Sequence, residues 1–131
     1  MNKSFKILAI ATMVVLLLSF AGCGPYASEA GVYKCVELKM DGQSILKSYK
    51  YYQITLYADG SCLVESCTTI SSSPYTAHGT FTIGDGKITL VSKVDGQLVI
   101  ETYDYHDGVI IMKTYVAGAY VYGQFSKGGK K

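Results

Sequence analysis

The chain has 131 residues, a formal net charge of +2, no tryptophan and no arginine. Proteins that bind nucleic acid or phosphate groups usually carry clustered basic charge and arginine forks, so we do not expect nucleic acid as a partner. The length suits one domain and is too short for two.

The N-terminal segment predicts export. Lys3 and Lys6 precede an uncharged, almost wholly apolar run from Ile7 to Phe20. Such a run is a poor membrane span because it is too short, and it is typical of a secretory signal.

The next residues suggest how the signal is removed. Phe20-Ala21-Gly22-Cys23 resembles the lipobox of bacterial lipoproteins, with Phe20 where leucine is usual. The resemblance implies cleavage before Cys23, which then carries acyl chains; two or three chains hold a protein stably at a membrane. We therefore expect a lipid-anchored protein on the extracytoplasmic face of a bacterial cell membrane. The alternative is an ordinary signal peptide that is cut elsewhere, with Cys23 an incidental thiol.

These features divide the chain into four parts. Residues 1–22 are the predicted lipoprotein signal peptide, and 23–30 hold the lipidated Cys23 and a short tether. Residues 31–126 are the predicted folded domain, and 127–131 are a flexible tail of lysine and glycine. Loss of the two lysines of the signal leaves ten lysines against ten acidic residues, so the mature chain has no net charge.

The folded domain is predicted to be all-β. Asp-Gly pairs favour tight hairpin turns. Five such signals occur, at residues 41–42, 59–60, 84–86, 95–96 and 107–108. Between them, alternating apolar residues such as Tyr52, Ile54 and Leu56 predict strands with one buried face. The predicted strands are 31–39, 48–58, 61–68, 78–84, 87–94, 97–106, 109–116 and 119–126.

Some segments depart from this pattern. The largest irregular loop is expected within 66–77, and a second at 40–47. The runs 97–100 and 109–112 present apolar side chains to both faces of their strands. We expect a loop or a neighbouring molecule to cover their outer faces; the alternative is an exposed apolar patch that is used for binding.

About eight antiparallel strands in so short a chain favour a closed barrel, because closure removes both sheet edges. The interior of such a barrel is either just filled by side chains or holds one small ligand. The segments 31–33, 54–60, 79–83 and 87–90 resemble small lipocalin-like lipoproteins of bacteria. The resemblance implies a single antiparallel meander barrel and no particular ligand. A two-sheet β-sandwich is the alternative fold.

Three cysteines lie within the domain, Cys35, Cys62 and Cys67. Export permits disulfides, and three thiols leave one unpaired. We expect a Cys35–Cys62 disulfide, with Cys35–Cys67 as the alternative pairing. Another alternative is that all three are reduced and act as small apolar residues. A zinc site is not expected, because a close Cys-x₂-Cys pair is lacking.

The sequence does not predict catalysis, a metal or a cofactor. Ser71 to Ser73, His78 and Asp104 could in principle form a triad, but their spacing does not favour one and no G-x-S-x-G elbow is present. His106 lies between acidic residues in a turn, which is typical of a polar hairpin end. We therefore expect a protein without enzymatic activity.

The twelve tyrosines are the remaining clue to function. Each hydroxyl needs a partner, so some tyrosines must line a surface or a barrel mouth, although cross-strand pairing accounts for most of them. We expect the protein to bind a small apolar ligand in or near the barrel. The alternative is a module that binds an envelope protein, including an inhibitor of a lysozyme-type enzyme, since 31–35 is faintly similar to one such group.

Overall fold

The computed structural model describes residues 24–128. The predicted signal peptide at 1–22, Cys23 and residues 129–131 of the predicted tail lie outside the described residues. Nine strands and a single 3₁₀ turn at Leu46–Ser48 account for most of the described chain. The strands are β1 (Gly31–Met40), β2 (Gln43–Ser44), β3 (Tyr49–Leu56), β4 (Ser61–Thr68), β5 (Tyr75–Gly84), β6 (Lys87–Val94), β7 (Gln97–His106), β8 (Val109–Val116) and β9 (Ala119–Lys127).

The eight long strands form one closed antiparallel barrel. Each pairs with the next long strand along the chain, and β9 pairs back with β1 from Tyr33 opposite Lys127 to Met40 opposite Val121. The predicted meander barrel is therefore confirmed. The alternative β-sandwich is wrong, because all nine strands belong to a single sheet. The short β2, which the sequence pattern does not predict, pairs with the end of β1.

Several strand boundaries differ from the prediction. Strand β5 begins at Tyr75, so the loop expected within 66–77 spans only 69–74. The reason is that Tyr75 and Ala77 extend the alternation of β5 and pair with β4. Lys127, expected in a flexible tail, is the last residue of β9, and its ammonium donates to the carbonyl of Ser28 at 3.0 Å.

The hairpin turns follow from local backbone chemistry. Asp41, Asp85, Asp95 and Asp107 have φ between 46° and 56°, and each is followed by a glycine that also has positive φ. This pair of left-handed residues makes the tight turn that matches the twist of two antiparallel strands. Ala117, with φ of 51°, precedes Gly118 in a turn of the same kind, although alanine gives no turn signal.

The two ends of the barrel differ in packing. The β3–β4, β5–β6 and β7–β8 turns lie at one end together with residues 24–30, and we call it the closed end. Its interior is filled by large side chains that are at most 3% exposed: Tyr33, Ile54, Leu56, Phe81, Ile88, Ile110 and Phe125. The other end, which we call the open end, carries the 41–48 and 69–74 loops and the β6–β7 and β8–β9 turns.

The segment predicted as a tether packs against the closed end. The ring centroids of Tyr26 and Phe81 are 4.7 Å apart, and the Tyr26 backbone N–H donates to the carbonyl of Ala58 at 3.0 Å. The hydroxyl of Tyr33 donates to the carbonyl of Glu29 at 2.6 Å. A Cβ at Gly24 would collide with the Ala58 carbonyl. Residues 24–30 are therefore part of the folded unit.

Strands β7 and β8 separate towards the open end. They pair only between 104–106 and 109–111, whereas β7 pairs with β6 over eight residue pairs. Residues 97–103 of β7 and 112–116 of β8 consequently have no ladder partner across the space between them, which we call the β7–β8 gap. Strands β1 and β3 also separate towards the open end. Here β1 has other partners, because β2 pairs with it and the N–H of Ile45 donates to the Leu38 carbonyl.

Exposed apolar side chains flank the outside of the β7–β8 gap. Leu98 and Ile100 on β7 are 62% and 61% exposed, and Tyr115 on β8 is 74% exposed. No loop within residues 24–128 covers them. Cover by a neighbouring molecule, the other form of our expectation, stays a prediction. The second apolar run differs, because its outward residues Val109 and Ile111 are partly buried, while Ile110 and Met112 point into the barrel and are buried.

Candidate functional site

The open half of the barrel contains a cavity of about 530 Å³. Pockets for small molecules commonly measure about 300–1,000 Å³. Every long strand contributes at least one lining residue, and the walls are mainly apolar, with Leu38, Val64, Val99, Met112 and Val121 among them. The barrel is therefore filled in its closed half and hollow in its open half.

The cavity exists because inward side chains midway along β5 and β6 are small. On β5 the inward positions run from Phe81 through Gly79 to Ala77, and on β6 from Leu90 to Ser92. Phe81 and Leu90 fill the barrel at their level. The small side chains of Ala77 and Ser92 leave space at theirs.

The floor of the cavity is a set of close contacts around Gly123. A Cβ at this position would lie 2.9 Å from the terminal methyl carbon of Met112 and 3.4 Å from a methyl carbon of Leu38. The glycine therefore lets these two side chains close the barrel beneath the cavity. Beside them the Tyr52 ring meets Phe125 edge-on, with centroids 4.9 Å apart.

Polar groups are few among the lining residues of the cavity. Four tyrosines, Tyr49, Tyr52, Tyr75 and Tyr103, line it together with a single charged residue, Glu101 on β7. Tyr49 stacks on Tyr52 with ring centroids 5.4 Å apart and planes at 27°.

Glu101 and the tyrosines are close enough to influence each other electrostatically. Burial is the main cause that raises the pKa of Tyr52 and of Tyr103, and the neighbouring Glu101 carboxylate is the next cause for both. Tyr75 contributes in the same direction to the pKa of each. The hydroxyls of Tyr52 and Tyr103 therefore stay protonated at neutral pH, so they can donate hydrogen bonds into the cavity.

The position of Glu101 depends on the β7–β8 gap. Its neighbours at inward positions of β7 are Val99 and Tyr103, which also line the cavity. Glu101 lies in the part of β7 that lacks a β8 partner, and it is exposed. The carboxylate therefore borders both the cavity and the solvent, which avoids the cost of an unpaired buried charge.

The three cysteines are free thiols, so neither predicted disulfide is present. Strand β3 lies between β1, which carries Cys35, and β4, which carries Cys62 and Cys67. Two strand spacings amount to about 9–10 Å, beyond the roughly 7 Å that a disulfide allows between Cα atoms. Cys62 is further displaced along the strands, since it lies at the level of Leu56 and Gly31.

The thiols act as small groups that are buried at Cys62 and Cys67 and partly buried at Cys35. Burial raises the pKa of Cys35 to about 11 and the pKa of Cys62 to about 11. Cys67 is 7% exposed, and its thiol donates weakly to the carbonyls of Thr68 and Ser71 at 3.6 Å and 3.7 Å. Protonated, buried thiols are poor nucleophiles. The reduced alternative describes this structure.

The residues considered for a triad do not come together. Ser71 lies in the 69–74 loop at the open end, where its hydroxyl donates to the Ser73 carbonyl at 3.1 Å. His78 is exposed on β5. Near the closed end, the hydrogen bond from Lys87 is the main cause that lowers the pKa of Asp104. Among residues 24–128, no three His, Cys, Asp or Glu side chains lie close enough to hold a metal ion.

The residue that our sequence reasoning missed is Glu101. A signal was available, because Glu101 is a charged residue at an inward position of a strand whose neighbouring inward residues are Val99 and Tyr103. Using that signal requires knowing which face of β7 points into the barrel. The apolar outward residues Leu98 and Ile100 obscure that face in the sequence.

Comparison with known proteins does not assign the chain to a group. No protein-family model matches it, and no curated protein matches it with significant similarity.

A search of the described residues for apolar helices of membrane-spanning length found none.

Proposed function

We propose that this protein is a non-enzymatic lipoprotein, anchored at the extracytoplasmic face of a bacterial membrane, that binds a small apolar ligand in the open half of its barrel. The observation that carries the proposal is the cavity of about 530 Å³ above a fully packed closed half. A barrel without a ligand has no need of such a space, because well-packed interiors contain few voids larger than a water molecule.

Apolar walls supply the affinity. Burial of apolar surface is favourable by about 25 cal/mol per Å², so a ligand that buries about 200 Å² gains about 5 kcal/mol before the cost of immobilisation. Tyrosine hydroxyls then orient any polar group of the ligand. The β7–β8 gap and the open end are the two routes by which a ligand reaches the cavity.

The proposed anchor would orient the barrel at the membrane. Cys23 directly precedes Gly24, and residues 24–30 lie against the closed end. Acyl chains on Cys23 would hold the closed end towards the membrane. The open end would then face away from the anchoring membrane, so the ligand is collected from the surrounding medium or from another molecule.

Filling the cavity tests the binding function. Ala77→Leu places a larger side chain in the cavity, and Thr76→Leu is the matched control because Thr76 is the exposed neighbour on the same strand. The protein is purified from its bacterial membranes and examined by native mass spectrometry for a retained small molecule. The wild type and Thr76→Leu should retain it and Ala77→Leu should lose it. Wild-type protein that is empty and that binds no neutral apolar probe would contradict the proposal.

The anchor has its own test. Cys23→Ser should leave the precursor uncut or release the protein from membranes, whereas Cys35→Ser should fractionate as the wild type does. Intact mass of the wild-type chain should show acyl groups on its first residue. A processed, unlipidated Cys23→Ser protein that stays with membranes would refute lipid anchoring.

A second function is favoured by the exposed residues beside the β7–β8 gap, including Leu98 and Ile100. Exposed apolar groups on an unpaired strand edge suit recognition of an envelope protein. The double variant Leu98→Lys, Ile100→Lys should abolish association with such a partner and leave retention of a small ligand intact. The narrower alternative, inhibition of a lysozyme-type enzyme, is tested by residual lysozyme activity in the presence of the pure protein.

A further inference from the structure

The cavity carries one charge, and it is negative. Glu101 is the only Lys, His, Asp or Glu among its lining residues within the described part of the chain. The nearest lysine along β6, Lys93, lies between Ser92 and Val94, which both line the cavity, so alternation places Lys93 on the outer face. Lys87 and Lys113 form ion pairs with Asp104.

We propose that the cavity selects an apolar molecule that bears one cationic amine, with the ammonium group between Glu101 and the neighbouring tyrosines. This inference rests on the proposed ligand-binding function and names the class of ligand. The apolar part of the molecule fills the space between Leu38, Val64 and Val121.

The tyrosines complete the site for a cation. Tyr52, Tyr75 and Tyr103 line the same cavity as Glu101, and the Glu101 charge influences both the partly buried Tyr52 and the buried Tyr103. A ligand ammonium within about 6 Å of a tyrosine ring is attracted by the negative face of the ring. An ammonium that also meets a carboxylate gains a charge-assisted hydrogen bond or an ion pair.

A fatty acid or another anionic amphiphile fits this arrangement poorly. Its carboxylate would lie near the Glu101 carboxylate, and the described lining residues offer no cation to offset the repulsion. Its only partners would be tyrosine hydroxyls and the hydroxyls of Ser92 and Thr114. A neutral alcohol of the same length should be intermediate, because it gains the apolar contacts and neither gains nor loses a charge interaction.

The β7–β8 gap lets the Glu101 carboxylate contact both solvent and a ligand in the cavity. Without ligand, Glu101 is solvated through the gap. When the ligand binds, its ammonium group replaces some of the water around Glu101, while the apolar chain of the ligand lies in the cavity. Because the pair stays partly solvated and screened, we expect a preference of about tenfold rather than several orders of magnitude.

A matched set of probes tests the proposal. The mature chain with Cys23→Ser keeps every described residue and avoids the need for detergent. Dodecylammonium, dodecanol and dodecanoate share one chain length and differ in charge. Their dissociation constants are measured at submicellar concentration, by displacement of a neutral fluorescent probe at low salt. The cation should bind about tenfold more tightly than the alcohol, and the anion more weakly than the alcohol.

Variants assign the preference to its residues. Glu101→Gln should reduce the affinity for the cation to the level of the alcohol and leave the alcohol unchanged. Glu65→Gln removes the same charge from β4, outside the cavity lining, and should keep the preference. Tyr75→Leu should lower the affinity for the cation more than the affinity for the alcohol. Tyr75→Phe keeps an aromatic ring, so it should not lower the affinity for the cation more than that for the alcohol. Tyr75 is 46% exposed, so both variants should fold.

The outcomes separate this inference from the function on which it rests. Equal affinity for all three probes, or a preference that survives Glu101→Gln, would overturn the cationic ligand and leave an apolar binding protein. Failure of all three probes to bind would overturn both. Tighter binding of dodecanoate than of the cation would show that the polar end of the ligand lies elsewhere, and would also refute the assignment.

Discussion

The Tyr26 ring lies against the Phe81 ring at 4.7 Å between centroids, with planes tilted by 45°. This contact joins the segment that follows Cys23 to the core of the closed end. The Tyr26 hydroxyl also accepts a hydrogen bond from the backbone N–H of Ile83 at 3.4 Å. One side chain therefore fixes where the N-terminal segment meets the barrel.

Removal of this side chain should destabilise the whole barrel. Tyr26→Ala loses the contact with Phe81 and leaves the closed end less well covered, so we expect the free energy of unfolding to fall by about 2 kcal/mol, less than for a fully buried aromatic residue. Urea unfolding followed by circular dichroism measures the change. Tyr57→Ala, at a residue 44% exposed, is the control and should change the value by less than about 0.5 kcal/mol. Equal effects of the two substitutions would mean that residues 24–30 do not seal the barrel.

Two glycines of β5 should respond in opposite ways to alanine. A Cβ at Gly79 would collide with the backbone carbonyl of Val91 on β6, whereas a Cβ at Gly84 would meet nothing within 4 Å. Gly79→Ala should cost about 2 kcal/mol of stability because the strands must move apart. Gly84→Ala should be neutral or slightly stabilising, since alanine restricts the unfolded chain. Thermal or urea unfolding distinguishes them, and a neutral Gly79→Ala would show that β5 and β6 are not so close.

The β8–β9 turn offers a stabilising substitution. Ala117 has φ of 51°, a left-handed conformation that alanine adopts at a cost and that asparagine tolerates better. Ala117→Asn should raise the free energy of unfolding by about 0.5–1 kcal/mol. Ala119→Asn is the control, because Ala119 belongs to β9 and has no positive φ. A loss of stability in Ala117→Asn would argue against this turn geometry.

The buried thiols predict a loss of stability at alkaline pH. The pKa of Cys62 is raised to about 11 by burial, above the value of about 8.5 for an unfolded cysteine. The neutral thiol therefore favours the folded state fully below about pH 8.5, and this contribution is lost as pH rises towards 11. Urea unfolding between pH 8 and 10.5 should show the decline, and Cys62→Ala should show a smaller one. Parallel slopes for the two proteins would contradict the prediction.

The same thiols should be slow to react in the folded protein. Iodoacetamide at pH 8 should label Cys35 and Cys62 far more slowly in native protein than in urea, because little thiolate is present and access is restricted. Mass spectrometry after timed quenching gives the rates. Mild oxidation should produce no Cys35–Cys62 link within one molecule, and detection of that link in the native protein would place β1 and β4 closer than the barrel allows.

Local sequence was enough to predict the class of fold. The period-two pattern at Tyr52, Ile54 and Leu56 and the Asp-Gly pairs depend only on backbone preferences and on neighbours two residues away. Strand number and short chain length then favoured closure, because open edges are costly. These arguments required no knowledge of which residues meet across the barrel.

The candidate site could not be predicted from local sequence in the same way. Whether an interior is filled depends on side chains from every strand at one level, such as Ala77 on β5 and Ser92 on β6, so no local pattern reports it. The Cys35–Cys62 pairing failed for the same reason, since the intervening position of β3 is a property of the whole sheet.

The amino-acid sequence by itself indicated the eight long strands and most of their tight turns and favoured a closed antiparallel barrel, because these follow from local conformational preferences and from the need to pair every edge. Only the tertiary structure decided that the closed half is packed and the open half hollow. It also decided that β7 and β8 separate between Asp104 and the open end, and that Glu101 borders the cavity. Those features arise from inter-strand register and from the sum of side-chain volumes at each level of the barrel. Such quantities exist only once distant segments are brought together.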